Sequence, residues 1–329
     1  MSHNILEVKD LKVVYKTSDG LVEALNGVSL SLAPGETLGL VGETGAGKTT
    51  LAKSIMGLIP SPPGEISGGE ILYNGQDILK ISEQERRKIR GAEISMIFQD
   101  PMTSLNPVMP VGKQIEEAIH AHNKMTPSEG EEAAAKMLEL VGIHRERMKE
   151  YPHQFSGGMK QRIIIAIALA CNPKLLIADE PTTALDVTIQ DQVLTMMGEL
   201  KKKFQTSMIM ITHDLGIVAQ NCDNVAIIYA GEIVEYGSLR EIFKNYKHPY
   251  TEGLFGSIPS LVEEVKRLTP IKGLVPDPMS LPKGCKFHPR CKYAVKECAK
   301  WNSFMIDIGG GHQVRCIKYK DGQAEETEE

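Results

Sequence analysis

Gly42-Glu43-Thr44-Gly45-Ala46-Gly47-Lys48-Thr49 fits the pattern G-x-x-x-x-G-K-[ST]. Before it stands Thr37-Leu38-Gly39-Leu40-Val41, an apolar run that reads as a short buried strand, and Lys48 to Gly57 reads as a helix. Strand, glycine-rich loop and helix in that order confine the chain to an α/β layer in which backbone N–H groups turn inward around an anion. The positive end of the helix adds to that attraction. The pattern is that of a loop that cradles the phosphates of a nucleotide. On this reading Gly42 to Thr49, with Thr50 in the first helical turn, form the nucleotide-binding segment. Lys48 reaches the β- and γ-phosphates, and the Thr49 hydroxyl ligates Mg²⁺.

A second element has the matching type and order. Leu175-Leu176-Ile177-Ala178-Asp179 is an apolar strand ending in an acid, and Glu180 follows at once. Asp179, at a strand's C-terminal end, is expected to hold Mg²⁺ through water. Side chains alternate along an extended chain, so Glu180 points elsewhere and is the candidate to polarise an attacking water.

The rest of the chain builds around this pair. LEVKDLKVVY and VEALNGVSLSL alternate and read as antiparallel strands joined at Ser18-Asp19-Gly20, while residues 60–69 (PSPPGEISGG) read as a loop. From Val111 to Cys171 the pattern is helical. Buried strands follow at Leu175–Ala178, Ser207–Ile211 and Val225–Tyr229, with helices near Val187–Lys203 and Gly216–Asn221 between them. The expected class is therefore α/β, with an antiparallel β subdomain and a helical insert spanning about 100–172. Prolines 259, 270, 276, 278, 282 and 289 crowd the region after Gly256, where no long element is expected. The acidic end, Glu325 to Glu329, reads as a solvated tail.

Composition removes other classes. The chain has 329 residues, 42% of them hydrophobic, which suits two globular units and excludes a disordered or fibrous protein. Its net charge of −5 argues against general nucleic-acid binding. Ile163 to Cys171, the longest uncharged apolar run, has nine residues, where a membrane-spanning helix needs roughly 20. The first residues carry no apolar stretch after basic ones, so no signal peptide is read and a cytoplasmic place is expected.

Between the two phosphate-site elements stands Phe155-Ser156-Gly157-Gly158-Met159-Lys160-Gln161-Arg162. With Asp179-Glu180-Pro181 and Ala184-Leu185-Asp186, it closely resembles the ATP-binding cassette of ABC transporters, over about residues 5 to 250. The resemblance implies an ATPase with a P-loop ABC core and gives further residues their roles. Tyr15 would stack on adenine. Gln99, in Phe98-Gln99-Asp100-Pro101, would sense Mg²⁺ and the γ-phosphate. Ser156, Gly157 and Gly158 would bind the γ-phosphate of a nucleotide held by an opposite cassette, and Asp186 would lie in the loop touching that partner. His213 would contact the γ-phosphate and position water. The family's usual Leu-Ser-Gly-Gly-Gln is here Phe-Ser-Gly-Gly-Met, which keeps the serine and both glycines.

Residues 100–107 (DPMTSLNP), Lys247-His248-Pro249-Tyr250-Thr251 and Gly284-Cys285-Lys286-Phe287-His288-Pro289-Arg290-Cys291 narrow the resemblance to the dipeptide/oligopeptide importer ATPases. It implies a second ABC ATPase subunit, similar and in such systems usually non-identical, two membrane permease subunits and an extracytoplasmic peptide-binding protein. It also places the chain peripherally on the cytoplasmic face of the membrane. Another solute such as nickel, or a soluble ABC ATPase acting on nucleic acid, are the alternatives. The expected division is a nucleotide-binding domain over 1–255 and a small, irregular, Cys-rich C-terminal module over 256–329.

Six cysteines are present. Cys171 and Cys222 read as ordinary buried thiols. Cys285, Cys291, Cys298 and Cys316 follow a C-x5-C-x6-C-x17-C spacing, unlike common zinc or ferredoxin patterns. A Pro-rich segment with little core still suggests a tetrathiolate site, and nine Lys and Arg against two acids between Lys283 and Lys320 would offset its charge. The resemblance implies a [4Fe–4S] cluster, with zinc as the alternative, disulfides or free thiols as another, and His288 or His312 as substitute ligands.

Overall fold

The computed structural model describes residues 4–99, 104–183, 185–257 and 271–320. Asp100 to Thr103, Ala184, Pro259, Pro270 and the acidic tail lie outside those residues. β1 (Leu6–Thr17) and β2 (Gly20–Leu32) form an antiparallel hairpin with Tyr15 opposite Val22. In β1 the buried residues run Leu6, Val8, then Leu11, Val13, so the alternation slips by one. The slip sits at Asp10, whose φ is +47°, where the pairing register also shifts. The bulge keeps Leu6, Val8, Leu11 and Val13 on the inner face.

β3 (Thr37–Val41) leads into α1 (Lys48–Met56), as the loop pattern requires. β4 (Gly64–Tyr73) and β5 (Gln76–Asp77) then complete a four-stranded antiparallel sheet in the order β2-β1-β4-β5. The loop expected over 60–69 is thus a strand from Gly64 onward. Its glycines serve close approach: a Cβ on Gly69 would stand 2.6 Å from the Leu11 Cα, at a φ of +94°.

α2 (Glu83–Ile89), closed by a Ser82–Glu85 capping box, and β6 (Ile94–Ile97) precede the helical insert. The insert holds α3 (Val111–His120), α4 (Pro127–Leu140) and α5 (Gly157–Leu169). β7 (Leu175–Asp179), α6 (Val187–Phe204), β8 (Ser207–Thr212), α7 (Leu215–Asn221) and β9 (Asn224–Tyr229) follow. β10 (Glu232–Ser238), α8 (Leu239–Lys244), α9 (Pro249–Gly256), β11 (Ile306–Asp307) and β12 (Gln313–Val314) end the described chain.

The main sheet runs β11-β12-β10-β9-β3-β8-β7-β6, with β9, β3, β8, β7 and β6 parallel. Both of its faces are covered, and alternation sorts the side chains. Leu176, Ala178, Met208 and Met210 face the helical side, while Leu175, Ile177, Ile209 and Ile211 face α1 and the antiparallel sheet. A strand buried on both faces reads as an unbroken apolar run, which is why these were visible in the sequence.

The separate Cys-rich module expected after residue 256 is not supported. β12 pairs antiparallel with β10, placing Val314 opposite Glu235, so the extension is part of the main sheet. Phe287 packs on Tyr229 and Tyr250 with ring centroids 5.2 and 5.3 Å apart. A buried polar knot tightens the join. His312 Nε2 lies 2.8 Å from Glu235 Oε1, and Glu235 accepts the Lys247 and His248 N–H groups at 2.6 and 3.0 Å.

His248 is part of this knot and caps α9 by accepting the Tyr250 N–H at 3.0 Å. Burial pushes its imidazole down to about 4, only partly opposed by Glu235. The folded state therefore binds its proton more weakly than the unfolded chain, which protonates near 6.5. That contribution to stability is whole above pH 6.5 and is lost as pH falls toward 4, by about 3 kcal/mol. Thermal melts of His248→Asn, which keeps a capping acceptor, should show a shallower fall over that window; an unchanged pH profile would reject the assignment.

Candidate functional site

The loop after β3 is shaped by contacts that exclude side chains. A Cβ on Gly42 would stand 2.2 Å from the Ile228 carbonyl oxygen, and one on Gly47 2.8 Å from that of Ala24. Gly45 and Gly47 have φ of +82° and +106°, and Gly47 caps α1 in that conformation. Thr44 and Gly45 are exposed at the loop's crest, Ala46 is buried beneath it, and Thr50 continues the first turn of α1. The Lys48 ammonium is buried and donates to the carbonyl oxygens of Gly42 (2.7 Å) and Glu43 (3.0 Å). Burial holds its pKa below the ordinary value against the pull of Glu180, Asp179 and Glu43. Loop carbonyls thus hold the ammonium where phosphate oxygens can replace them.

Thr49 Oγ1 donates to Asp179 Oδ2 at 2.8 Å, joining α1 to the end of β7. Burial raises the Asp179 carboxyl, with Glu180 adding to it and the Thr49 hydrogen bond and Lys48 opposing. A hydroxyl and a carboxylate side by side form a hard-oxygen pair, the donor set that Mg²⁺ takes when most of its other ligands are water and phosphate. The residues present therefore fit the ion.

Glu180 follows with φ of +49°, a left-handed conformation that costs a non-glycine residue roughly 1–2 kcal/mol. Its N–H donates to the Ile211 carbonyl at 2.9 Å, which holds the strained residue against β8. Three side chains converge on its carboxylate: Thr183 Oγ1 donates to Oε2 at 3.0 Å, Gln99 Nε2 donates to Oε2 at 3.2 Å, and His213 Nδ1 lies 3.3 Å from Oε1. Burial alone would raise this carboxyl, but those hydrogen bonds outweigh it and keep it below the usual range. It is an anion held in a fixed position by those three side chains. The sequence singled out Gln99, Glu180 and His213 separately; the fold brings them together.

Other expected residues stand apart from this centre. Tyr15 is half-buried, paired opposite Val22 and Gly64 and packed on the core of the antiparallel sheet. Ser156 caps α5, accepting the Met159 N–H at 3.4 Å, and both Ser156 and Gly157 are exposed. Gly158 lets α6 approach: a Cβ there would stand 2.4 Å from Ile189 Cγ2. Asp186 caps α6 by accepting the Ile189 N–H at 3.0 Å.

Sequence reasoning missed three residues. Thr183 steadies Glu180, the Tyr250 hydroxyl accepts the Glu43 N–H at 3.0 Å, and Arg290 pairs with the Glu43 carboxylate. Tyr250 and Arg290 lie in stretches already marked as distinctive, but nothing local reveals what they reach.

The cysteine expectation is corrected. Among the described residues no group of three or more His, Cys, Asp or Glu side chains is arranged to hold a metal ion, so neither the [4Fe–4S] cluster nor zinc is supported. Cys285, Cys291, Cys298 and Cys316 are free thiols lining a mainly apolar cavity of about 400 Å³. Burial pushes Cys285 up to about 12 and Cys316 up to about 11, and the neighbouring thiols add to the rise. His288 Nδ1 lies 2.8 Å from the Cys285 carbonyl oxygen and His312 Nε2 lies 2.8 Å from Glu235 Oε1, and neither joins the thiols in a metal-holding group among the described residues.

The ABC transporter family profile matches residues 25–183, and that of the oligopeptide/dipeptide transporter C-terminal region matches residues 234–298. The oligopeptide transport ATP-binding protein OppD of Bacillus subtilis is 52% identical over 94% of this chain and 88% of its own. OppD of Escherichia coli is 51% identical over 90% and 88%, and the dipeptide transport ATP-binding protein DppD of Bacillus subtilis 49% over 95% and 94%. Among solved structures, a dimeric ATP-binding cassette in a post-hydrolysis state with ADP and Pi is similar with a TM-score of 0.64. It is 26% identical, over 71% of this chain and 99% of that one. The chain is an ABC-type ATPase subunit and belongs to the ABC transporter family, in the group that carries the oligopeptide/dipeptide transporter C-terminal region.

Proposed function

We propose that the chain is the ATP-hydrolysing subunit of a membrane importer of oligopeptides or dipeptides. The observation that carries the ATPase chemistry is the convergence of Gln99, Thr183 and His213 on the Glu180 carboxylate, next to the Thr49–Asp179 pair. The loop from Gly42 to Thr49 binds the phosphates through backbone N–H groups and Lys48. Thr49 and Asp179 hold Mg²⁺, with Gln99 beside it, and the bound ion supplies neutralising charge to the β- and γ-phosphate oxygens. Glu180 orients the attacking water and takes its proton, while His213 lies across the γ-phosphate.

Tyr15 stacks on adenine in this reading. Ser156, Gly157 and Gly158, at the start of α5, donate to the γ-phosphate of a nucleotide in a facing cassette, and Asp186 lies at that contact. ATP then joins two cassettes and hydrolysis releases them. Two permease subunits receive the motion through the helical insert, and an extracytoplasmic peptide-binding protein delivers the cargo. No helix among the described residues is long and apolar enough to cross a membrane. In this reading the chain meets the bilayer through the permeases, on its cytoplasmic face. The second cassette is a related, non-identical ATPase. The peptide cargo rests on the similarity of the whole chain to peptide-transport ATP-binding proteins.

The test is reconstitution in liposomes with the two permeases and the second ATPase. Peptide-loaded binding protein added on the far side should raise ATP turnover several-fold. A system that hydrolyses ATP yet responds to nickel or another solute and to no peptide would reject the cargo.

A further inference from the structure

Arg290 lies in the C-terminal region, 247 residues from Glu43, yet the two form a two-pronged pair. Its terminal nitrogens lie 2.7 and 3.1 Å from the Glu43 carboxylate oxygens. The guanidinium is otherwise fixed: it donates to the Tyr229 hydroxyl at 3.3 Å and to the Lys272 carbonyl at 3.2 Å, and the side chain is only 5% exposed. Such a fork is rigid in a way that a lysine is not. Glu43 itself is the second residue of the phosphate loop. Its N–H is held by Tyr250 and its carbonyl accepts from Lys48, so it is clasped at three points.

A carboxylate at this place opposes the loop's task. Its field reaches the Lys48 ammonium, and an incoming triphosphate meets the same field with the opposite sign. A buried cation from a remote part of the chain cancels that charge at the side chain, without itself engaging any of the loop's N–H groups. A purely mechanical clasp needs no charge on either side; this one places a full cation against a full anion beside an anion-binding loop.

We propose that Arg290 is a positioning residue of the nucleotide site, which screens Glu43 and thereby lets the C-terminal region set the loop's affinity for ATP. The inference rests on the nucleotide-site reading above. It gives the C-terminal region a task at the nucleotide rather than at the permease or in packing alone. The screening matters more for ATP than for ADP, because repulsion scales with the ligand's charge.

The experiment is calorimetric titration of the purified full-length chain with Mg-ATP and Mg-ADP. Arg290→Met, which keeps bulk and removes charge, should weaken ATP by about tenfold, the order that one unit charge roughly 12 Å away supplies at an effective permittivity near 20. ADP should weaken by about threefold on the same argument. Glu43→Gln/Arg290→Met should recover both affinities, since nothing is left to screen. Equal losses for the two nucleotides without recovery in the double variant would overturn the proposal in favour of a mechanical clasp, and native affinity in Arg290→Met would overturn it outright. Should Arg290→Met fail to fold, Glu43→Gln and Glu43→Gln/Arg290→Met must bind ATP alike, and a further loss in the double variant overturns the idea. Lys48→Ala run in parallel separates the two levels: undiminished ATP binding there defeats the site itself, whereas its loss beside a native Arg290→Met defeats only this inference.

Discussion

Glu180→Gln should lower steady-state ATP turnover by about a thousandfold, within the range assigned to a positioned general base, and leave ATP affinity within a few-fold of the native value. The amide matches the carboxylate in size and can still accept from Thr183 and Gln99, so the backbone strain at φ +49° has no new reason to relax. What is removed is the anion that takes a proton from water. Because binding persists while hydrolysis stops, the variant should accumulate a nucleotide-bound pair of cassettes. Phosphate release measures the first effect and size-exclusion chromatography with ATP the second. Turnover within tenfold of native would remove Glu180 from the role of base.

Lys48→Ala should act at the other end of the cycle, on binding. Losing a charge-assisted contact to the phosphates is worth roughly 2–3 kcal/mol, so ATP affinity should fall by about a hundredfold. Stability should change little without nucleotide. The carbonyls of Gly42 and Glu43 lose their donor, but the protein no longer buries an ammonium whose pKa desolvation already depresses. Calorimetric titration and a melt without nucleotide read these separately. An alanine variant that binds ATP as the native chain does would refute the loop assignment; one that fails to fold would show the lysine to be structural.

The parts of the fold legible in the sequence were those written locally. β3, β7, β8 and β9 are apolar runs because both of their faces are buried, and the loop announces itself through glycines that the contacts at Gly42 and Gly47 require. β4 was obscured because its first half is rich in glycine, needed for close pairing with a bulged β1. β10, β12 and the helices α8 and α9 went unread; β12 finds its partner far back along the chain in β10, although β10 itself pairs with its neighbour β9. In the site, the residue types were readable and their convergence was not. Gln99, Glu180 and His213 come from three separate segments that only the parallel sheet brings to one end. The cysteines failed for a related reason. Spacing counts residues along the chain, whereas ligation depends on where the sulfurs point, and among the described residues they form no metal-holding group.

The pairing of β12 with β10 bears on how the molecule is made. Synthesis proceeds from the N-terminus, so β10 is complete long before residues 313 and 314 emerge to cover it. Through that interval the nascent sheet ends in an open edge, the kind of surface that recruits other chains. It also exposes Glu235, whose buried carboxylate is later met by His312. A charge at an unfinished edge discourages intermolecular strand addition, so the residue that seals the mature protein also guards the growing one. The segments of the ATPase site are made early, but its sheet gains β11 and β12 only after residues 306–314 have emerged.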